Sequence, residues 1–304
     1  MPDQPNQTKP TYFIGPSGWS YPDWSGVVYP DRAGARFDAL AYIAKYFNAV
    51  EVNTSFYRPV SPRMTSSWVQ RIADRQSFRF TFKLHQSFTH ERTGYDRTAV
   101  TTFLEGLQPV IEAARLGCVL MQFPWSFRRS PASVDWLTKL AEDFGELALV
   151  AELRHDSWDV PETFEELRRM HVSWCNIDQP RLRNCVEPGA NVTSEPGYVR
   201  FHGRRGDTWF TQNIEPFERY NYLYSMDELR EWLGRLRRIG SEAQEVYVFS
   251  NNHYRGQGPA NALQLRALVE ERRVKVPRPL LLCFPHLEAI REAPSDDAFP
   301  ETLF

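Results

Sequence analysis

Cysteine is scarce: the 304 residues include four, Cys118, Cys175, Cys185 and Cys283, and none stands in CxxC spacing. Three of them sit in apolar runs, so a zinc knuckle and a disulfide framework are excluded, and reduced thiols in a cytoplasmic protein are expected. A chain of this length buries enough surface to fold without covalent staples. Charge of one sign is lacking too. The 36 Lys+Arg and 38 Asp+Glu leave a net −2, which excludes a histone-like basic coat while leaving local patches open. No uninterrupted apolar run approaches the ~18 residues that a membrane span needs, so no membrane partner is expected. Met1 to Pro10 is rich in Pro, Gln and Asn and has no apolar h-region, which predicts a frayed tail rather than a signal peptide. GxSxG, HExxH and P-loop patterns are also absent, removing three common routes to catalysis. What the chain has in excess is aromatic: nine tryptophans, 13 tyrosines and 20 phenylalanines, against a mean hydropathy of −0.51.

Short β-rich runs alternate with stretches of helical period. The runs are Tyr12–Gly15, Ala49–Phe56, Phe78–His85, Cys118–Phe123, Leu147–Arg154, Val172–Asp178, Tyr198–His202 and Glu245–Asn251. Several are apolar throughout, as suits parallel strands buried on both faces. Helices are expected over Phe37–Phe47, Pro62–Ala73, Thr98–Arg115, Pro131–Phe144, Pro161–Met170, Met226–Ile239 and Ala260–Arg273, with a short or missing one after the sixth strand, where Pro180, Pro188 and Gly189 intervene. Alternation of this kind predicts an α/β fold, a (β/α)8 TIM barrel, with a doubly wound open sheet as the alternative. A dinucleotide-binding sheet would carry GxGxxG after its first strand, and Gly15-Pro-Ser-Gly-Trp19 does not fit that pattern. The expected organisation is a tail over 1–11, one barrel domain over 12–275, and an extension over 276–304 that packs outside the barrel and ends in a loose acidic stretch.

Barrel enzymes build their sites where strands end, and here the strand ends turn polar. Glu51/Asn53, Lys83/His85, Glu152/Arg154, Asn176/Asp178 and Arg200/His202 are each spaced by two, which puts both members of a pair on one face of the strand. Gln122 ends the fourth run, and Asn251, Asn252 and His253 follow the eighth. The residues between the pairs are apolar and suit the helix side, so the polar members are expected to point into the barrel. Unpaired buried charges cost several kcal/mol each, so packing alone does not account for five such pairs. Groups of this kind concentrate at functional sites.

Gly18-Trp-Ser-Tyr-Pro-Asp-Trp24, Val50-Glu-Val-Asn-Thr-Ser-Phe-Tyr57, Phe82-Lys83, Thr89-His90 and Gln122-Phe-Pro124 resemble motifs of the YecE-like family, domain of unknown function 72. So do Glu152-Leu-Arg-His-Asp-Ser-Trp158, Tyr198-Val-Arg-Phe-His-Gly203 and Asn251-Asn-His253. The resemblance runs in order from about Tyr12 to Ala267, leaving the first residues and the segment after Arg273 outside. It implies a (β/α)8 barrel, as the strand count does independently, and it implies no particular reaction.

The residues themselves allow several chemistries. Glu51, His85, Glu152, Asp178, His202 and His253 are ligand types for a divalent metal. Lys83, Arg154 and Arg200 stand at the same level and oppose the three carboxylates, so no cofactor is predicted and a metal is the minority alternative. In metal-free acid–base work Glu51 or Glu152 is the base, and His202 or His253 the acid. The bland alternative is that Glu51–Lys83 and Glu152–Arg154 neutralise one another and only orient other groups. For an anionic substrate bearing phosphate or carboxylate, Lys83, Arg154 and Arg200 are the holding cations, and Asn53, His85, Gln122, Asp178 and Asn252 the orienting groups. The loops also carry many arginines interleaved with aromatics, among them Trp19, Tyr57, Trp125, Trp158 and Trp209. That rim raises nucleic acid as an alternative partner, while bracing of loops against the barrel is the ordinary use of such aromatics. The sequence thus points to an enzyme at the C-terminal mouth of a barrel, with phosphoester hydrolysis ahead of isomerisation and elimination. A nucleic-acid-binding or processing barrel and a non-catalytic regulatory barrel are the alternatives.

Overall fold

Strands buried on both faces need helices on one side and a filled interior on the other, and the chain satisfies both needs by closing on itself. The computed structural model describes residues 9–34, 36–207, 209, 211 and 215–293. Its strands are β1 (Thr11–Pro16), β2 (Ala49–Val52), β3 (Arg79–Lys83), β4 (Leu116–Gln122), β5 (Leu149–Glu152), β6 (Val172–Asp178), β7 (Gly197–Phe201) and β8 (Glu245–Ser250). All eight are parallel, in the order β1-β8-β7-β6-β5-β4-β3-β2. This is the expected TIM-barrel architecture, and the open sheet is ruled out by the way β1 returns to β2.

The β1–β2 seam is the least regular part of the barrel. One bridge, Ser17 with Glu51, joins the two strands at the top, and Gly18 N donates to Glu51 O at 2.8 Å. Lower down, Asn48 substitutes for a strand: its Oδ1 accepts from Ile14 N at 2.8 Å, and its Nδ2 donates to Tyr12 O at 2.8 Å. The approach requires Gly15, because a Cβ there would stand 1.9 Å from Ala49 O.

Helix starts follow their capping residues. Ser61, Asp96 and Ser130 accept backbone N–H groups at the heads of Pro62–Arg71, Arg97–Glu112 and Pro131–Asp143. Ser225 and Glu228 form a capping box at Met226–Arg230. Two expectations needed adjustment, and a third held. The second run ends as strand at Val52, and Thr54–Tyr57 turns into a short helix. The stretch 226–239 is divided between Met226–Arg230 and Leu233–Glu242. Among the described residues no helix separates β6 from β7, consistent with the prolines there. After the barrel, Val274 bridges Arg291, and Leu280 and Leu287 are buried against the helix Gln257–Glu270 and its neighbours. The acidic end expected after that, and the first residues of the expected tail, lie outside the described residues. No helix among the described residues is long and apolar enough to cross a membrane.

Aromatics fill the lower barrel: Phe13 stacks on Tyr247 at 4.8 Å, and Tyr198 meets Phe249 at 5.6 Å. Above this floor the inward positions become charged.

Candidate active site

Period-two alternation carries Glu51, Lys83, Gln122, Glu152, Arg200 and His202 to the inner face at one end of the barrel, where they form a single network. Arg200 is its centre and is fully buried. Its Nη2 donates to Glu51 Oε1 at 2.7 Å, and its Nη1 donates to Glu152 Oε2 at 2.5 Å and to Gln122 Oε1 at 2.8 Å. Glu51 also accepts from Ser17 Oγ, and from the Tyr198 hydroxyl at 2.9 Å. Glu152 Oε1 accepts from Arg154 Nε at 2.6 Å. His202 Nε2 lies 3.3 Å from the same oxygen, out of line for a full hydrogen bond. Asn251 fixes the other imidazole nitrogen, Nδ1, at 3.0 Å.

Electrostatics follow from this geometry. Burial alone would raise both carboxyl pKa values. The charges of Arg200 and Lys83, with the bonds from Ser17 and Tyr198, instead hold Glu51 below the ordinary carboxylate value. Arg154, Arg200 and His202 do the same for Glu152 more strongly. Burial brings His202 down to about 4, with Arg154 and Arg200 acting in the same direction against Glu152. His253 is lowered by its burial too. Both imidazoles are therefore neutral at neutral pH. A neutral imidazole suits a base, whereas the sequence assigned these residues as the proton donor.

Lys83 and Arg154 differ from the rest of the cluster. Lys83 Nζ is 3.6 Å from Glu51 Oε1, beyond hydrogen-bond length, and among the described residues no other carboxylate stands within ion-pair range. Burial and the adjacent Arg200 lower its pKa to about 8. Arg154 uses Nε on Glu152, and among the described residues its two Nη groups have no protein acceptor. These two side chains keep 9% and 14% of their surface, while those of Glu51, Glu152, Arg200 and His202 keep none. The network's loose cationic ends thus face its open side.

Other expected site residues are placed elsewhere. Asp178 points to the helix side of β6, where Arg204 binds it through two nitrogens and Tyr224 and Trp232 donate at 2.7 and 2.6 Å. The inward face of β6 carries Cys175 instead, whose Sγ is 3.9 Å from Glu152 Oε2. Asn176 likewise holds the backbone of Asn191 and Tyr198. Asn252 is buried with its Nδ2 on Tyr222 O and Asn261 Oδ1. Trp158 is buried, donating to Phe127 O at 2.7 Å, and Trp19 packs edge-on against Trp68 at 5.2 Å. All four of these expected substrate contacts (Asp178, Asn252, Trp158, Trp19) are engaged in contacts within the protein. His85 braces its loop through Ser87 and Tyr57 O. Asn53 stands at the site's edge, accepting from Ser17 Oγ at 3.1 Å and donating to the Tyr21 hydroxyl at 3.0 Å. Tyr57 alone among the named aromatics is broadly exposed, at 68%. His253 stacks on Tyr21 at 4.5 Å and faces Tyr220 at 5.6 Å, and Tyr220 also neighbours Trp209 and His202.

Sequence reasoning missed the parts played by Ser17, Tyr198 and Tyr220. Extending the inward face one step down, from His202 and Arg200 to Tyr198, would have found the second; Tyr220 ends a short 3-10 turn, Pro216–Tyr220, with too few residues to show a periodicity. Among the described residues no three carboxylate, imidazole or thiol groups gather as a metal-ligand set; the carboxylates are occupied by guanidinium and hydroxyl donors.

Comparison with known proteins agrees with this arrangement of the chain. A family model described as "Protein of unknown function DUF72" matches residues 13–281, extending past the Ala267 boundary of the sequence motifs. The chain is similar to the UPF0759 protein YunF of Bacillus subtilis, 28% identical over 85% of this chain and 94% of that one. The UPF0759 protein YecE of Escherichia coli is 32% identical over 47% of this chain and 48% of its own. Among solved structures, a DUF72 family protein of Thermotoga maritima superposes with a TM-score of 0.75 at 35% identity, covering 85% of this chain and 99% of the other. One from Enterococcus faecalis gives 0.75 at 26% identity, covering 86% and 96%.

Proposed function

Because the chain belongs to the DUF72 family, described as of unknown function, we propose a function from the site's own chemistry: an enzyme that binds an anionic small molecule at the barrel mouth and turns it over by proton transfer. The observation that carries this reading is the uncommitted positive charge. Among the described residues Lys83, Arg154 and Arg200 oppose only Glu51 and Glu152, since Asp178 is bound by Arg204 on the other side of the sheet. One cation is in excess, and the two cations with spare capacity, Lys83 and Arg154, are those that reach solvent. A phosphate or carboxylate fits there, and the guanidinium fork of Arg154 suits two oxygens of either.

The two carboxylates have their oxygens occupied and serve better as anchors for Arg200 and Arg154 than as bases. His253, neutral and at the mouth, is better placed to take a proton from water or substrate. Phosphoester hydrolysis is the reaction we favour, because phosphoryl transfer is catalysed chiefly by positioned positive charge. A small molecule is favoured over nucleic acid because most of the aromatic rim is spent on bracing, with Trp19 and Trp158 packed and Trp125 bonded to Asn184 O at 2.9 Å.

Titration calorimetry with inorganic phosphate, followed by a panel of phosphomonoesters, tests this reading. Binding should weaken by about tenfold or more in Arg154→Met, corresponding to ~1.4 kcal/mol. If phosphate, sulfate and small carboxylates all leave the heat signal and the melting temperature unchanged, the site is not an anion site. Hydrolysis that persists at full rate in Lys83→Ala and His253→Gln would remove the assigned roles.

A further inference from the structure

We infer that the Nζ of Lys83 is a nucleophile that condenses with the carbonyl group of an anionic oxo compound held beside it by Arg154. The inference rests on the anionic-substrate reading above but not on hydrolysis. Its ground is the contrast within one cluster. Arg200, Arg154, Glu51 and Glu152 are locked by hydrogen bonds of 2.5 to 2.9 Å. Lys83, at the end of β3, has among the described residues only the 3.6 Å approach to Glu51. A lysine kept merely as a counter-ion would close that gap, because a buried ammonium left short of an acceptor is costly.

Two further features fit an amine. Arg200, on the same Glu51 oxygen, opposes a second positive charge there. With its pKa at about 8, Lys83 has about a tenth of its population as free amine at neutral pH, where an ordinary lysine has far less than one in a hundred. Arg154 meanwhile presents unoccupied Nη groups at the same opening, so a carboxylate or phosphate on the substrate has a fork to sit in while its carbonyl meets Nζ.

In the step, the Nζ lone pair adds to the carbonyl carbon and the C=O π pair moves to oxygen, which takes up one of the two amine hydrogens to give a carbinolamine. The two amine hydrogens and that oxygen then leave as water, and a C=N bond remains. No oxidant or reductant is consumed.

Borohydride trapping tests this. The full chain is incubated with pyruvate, with dihydroxyacetone phosphate, or with propionaldehyde as a neutral control, then reduced, digested and analysed by mass spectrometry. Melting curves with both anions are recorded in parallel. The chain has few lysines, and Lys45, Lys139 and Lys275 serve as internal controls. Lys83 should be labelled at least about tenfold faster than these by one or both anions. Lys83→Arg should abolish labelling at this position. Equal labelling of all the lysines overturns the proposal. A melting shift by both anions without label on Lys83 overturns it and leaves the anion site standing. Selective trapping of propionaldehyde with no trapping or melting shift from either anion overturns both. Because the comparison among lysines is made in the unmodified protein, the test survives a Lys83→Arg variant that does not fold.

Discussion

Arg200 donates to Glu51 at 2.7 Å, and neither side chain exposes any surface to solvent. The same guanidinium reaches Glu152 on the other side, so one cation bridges two carboxylates inside the barrel. Replacing it with Met leaves both acids buried without their shared partner, and a broken buried pair costs ~3–5 kcal/mol. Urea denaturation of Arg200→Met should show a loss of that size. A loss below ~1 kcal/mol would mean that the network relaxes or hydrates easily.

Acidification should weaken the fold in two stages. His202 has its pKa lowered from 6.5 to about 4, so the unfolded chain takes up its proton first. Stability therefore falls as the pH drops from 6.5 towards 4. Glu51 and Glu152, held below 4.5, contribute stability that is present above that value and is lost as the pH falls through their folded pKa values. The basic side has the same sign of slope. Lys83, lowered from 10.5 to about 8, adds stability as the pH rises through that window. Urea midpoints across pH measure all three, with His202→Gln expected to flatten the first slope and Lys83→Met the last. An unchanged slope in either variant would separate that residue from the pH response.

Asp178 should affect stability without affecting the site. Asp178→Asn removes the charge that Arg204, Tyr224 and Trp232 share. Its expected loss is ~2–4 kcal/mol, with phosphate affinity unchanged under conditions where the variant is folded. A selective loss of affinity at full stability would return Asp178 to the binding residues.

Gly15 should prove indispensable to barrel closure. In Gly15→Ala the added methyl meets Ala49 O, forcing the β1–β2 seam apart at a cost of ~1–3 kcal/mol or more. Hydrogen exchange at Ile14 and Gly18, whose amides are held by Asn48 and Glu51, would report that opening locally. Unaltered protection would show that the seam is not under this constraint.

Alternation of strand and helix, the Pro-led helix starts, and the missing helix before β7 were all legible in the sequence, because each depends on residues close together along the chain. So was the grouping of Glu51, Lys83, Glu152, Arg154, Arg200 and His202, since a period of two places such residues together. Period two, however, says only that residues share a face, not which face it is. On β6 both Cys175/Ile177 and Asn176/Asp178 satisfy the rule. The polar pair turns outward because Arg204, Tyr224 and Trp232 come back over that side from β7 and the segment beyond it. The cluster's charge balance changed with it: three cations against three acids along the chain became three against two in space. That outcome depends on contacts between segments more than twenty residues apart, and only the tertiary structure could decide it.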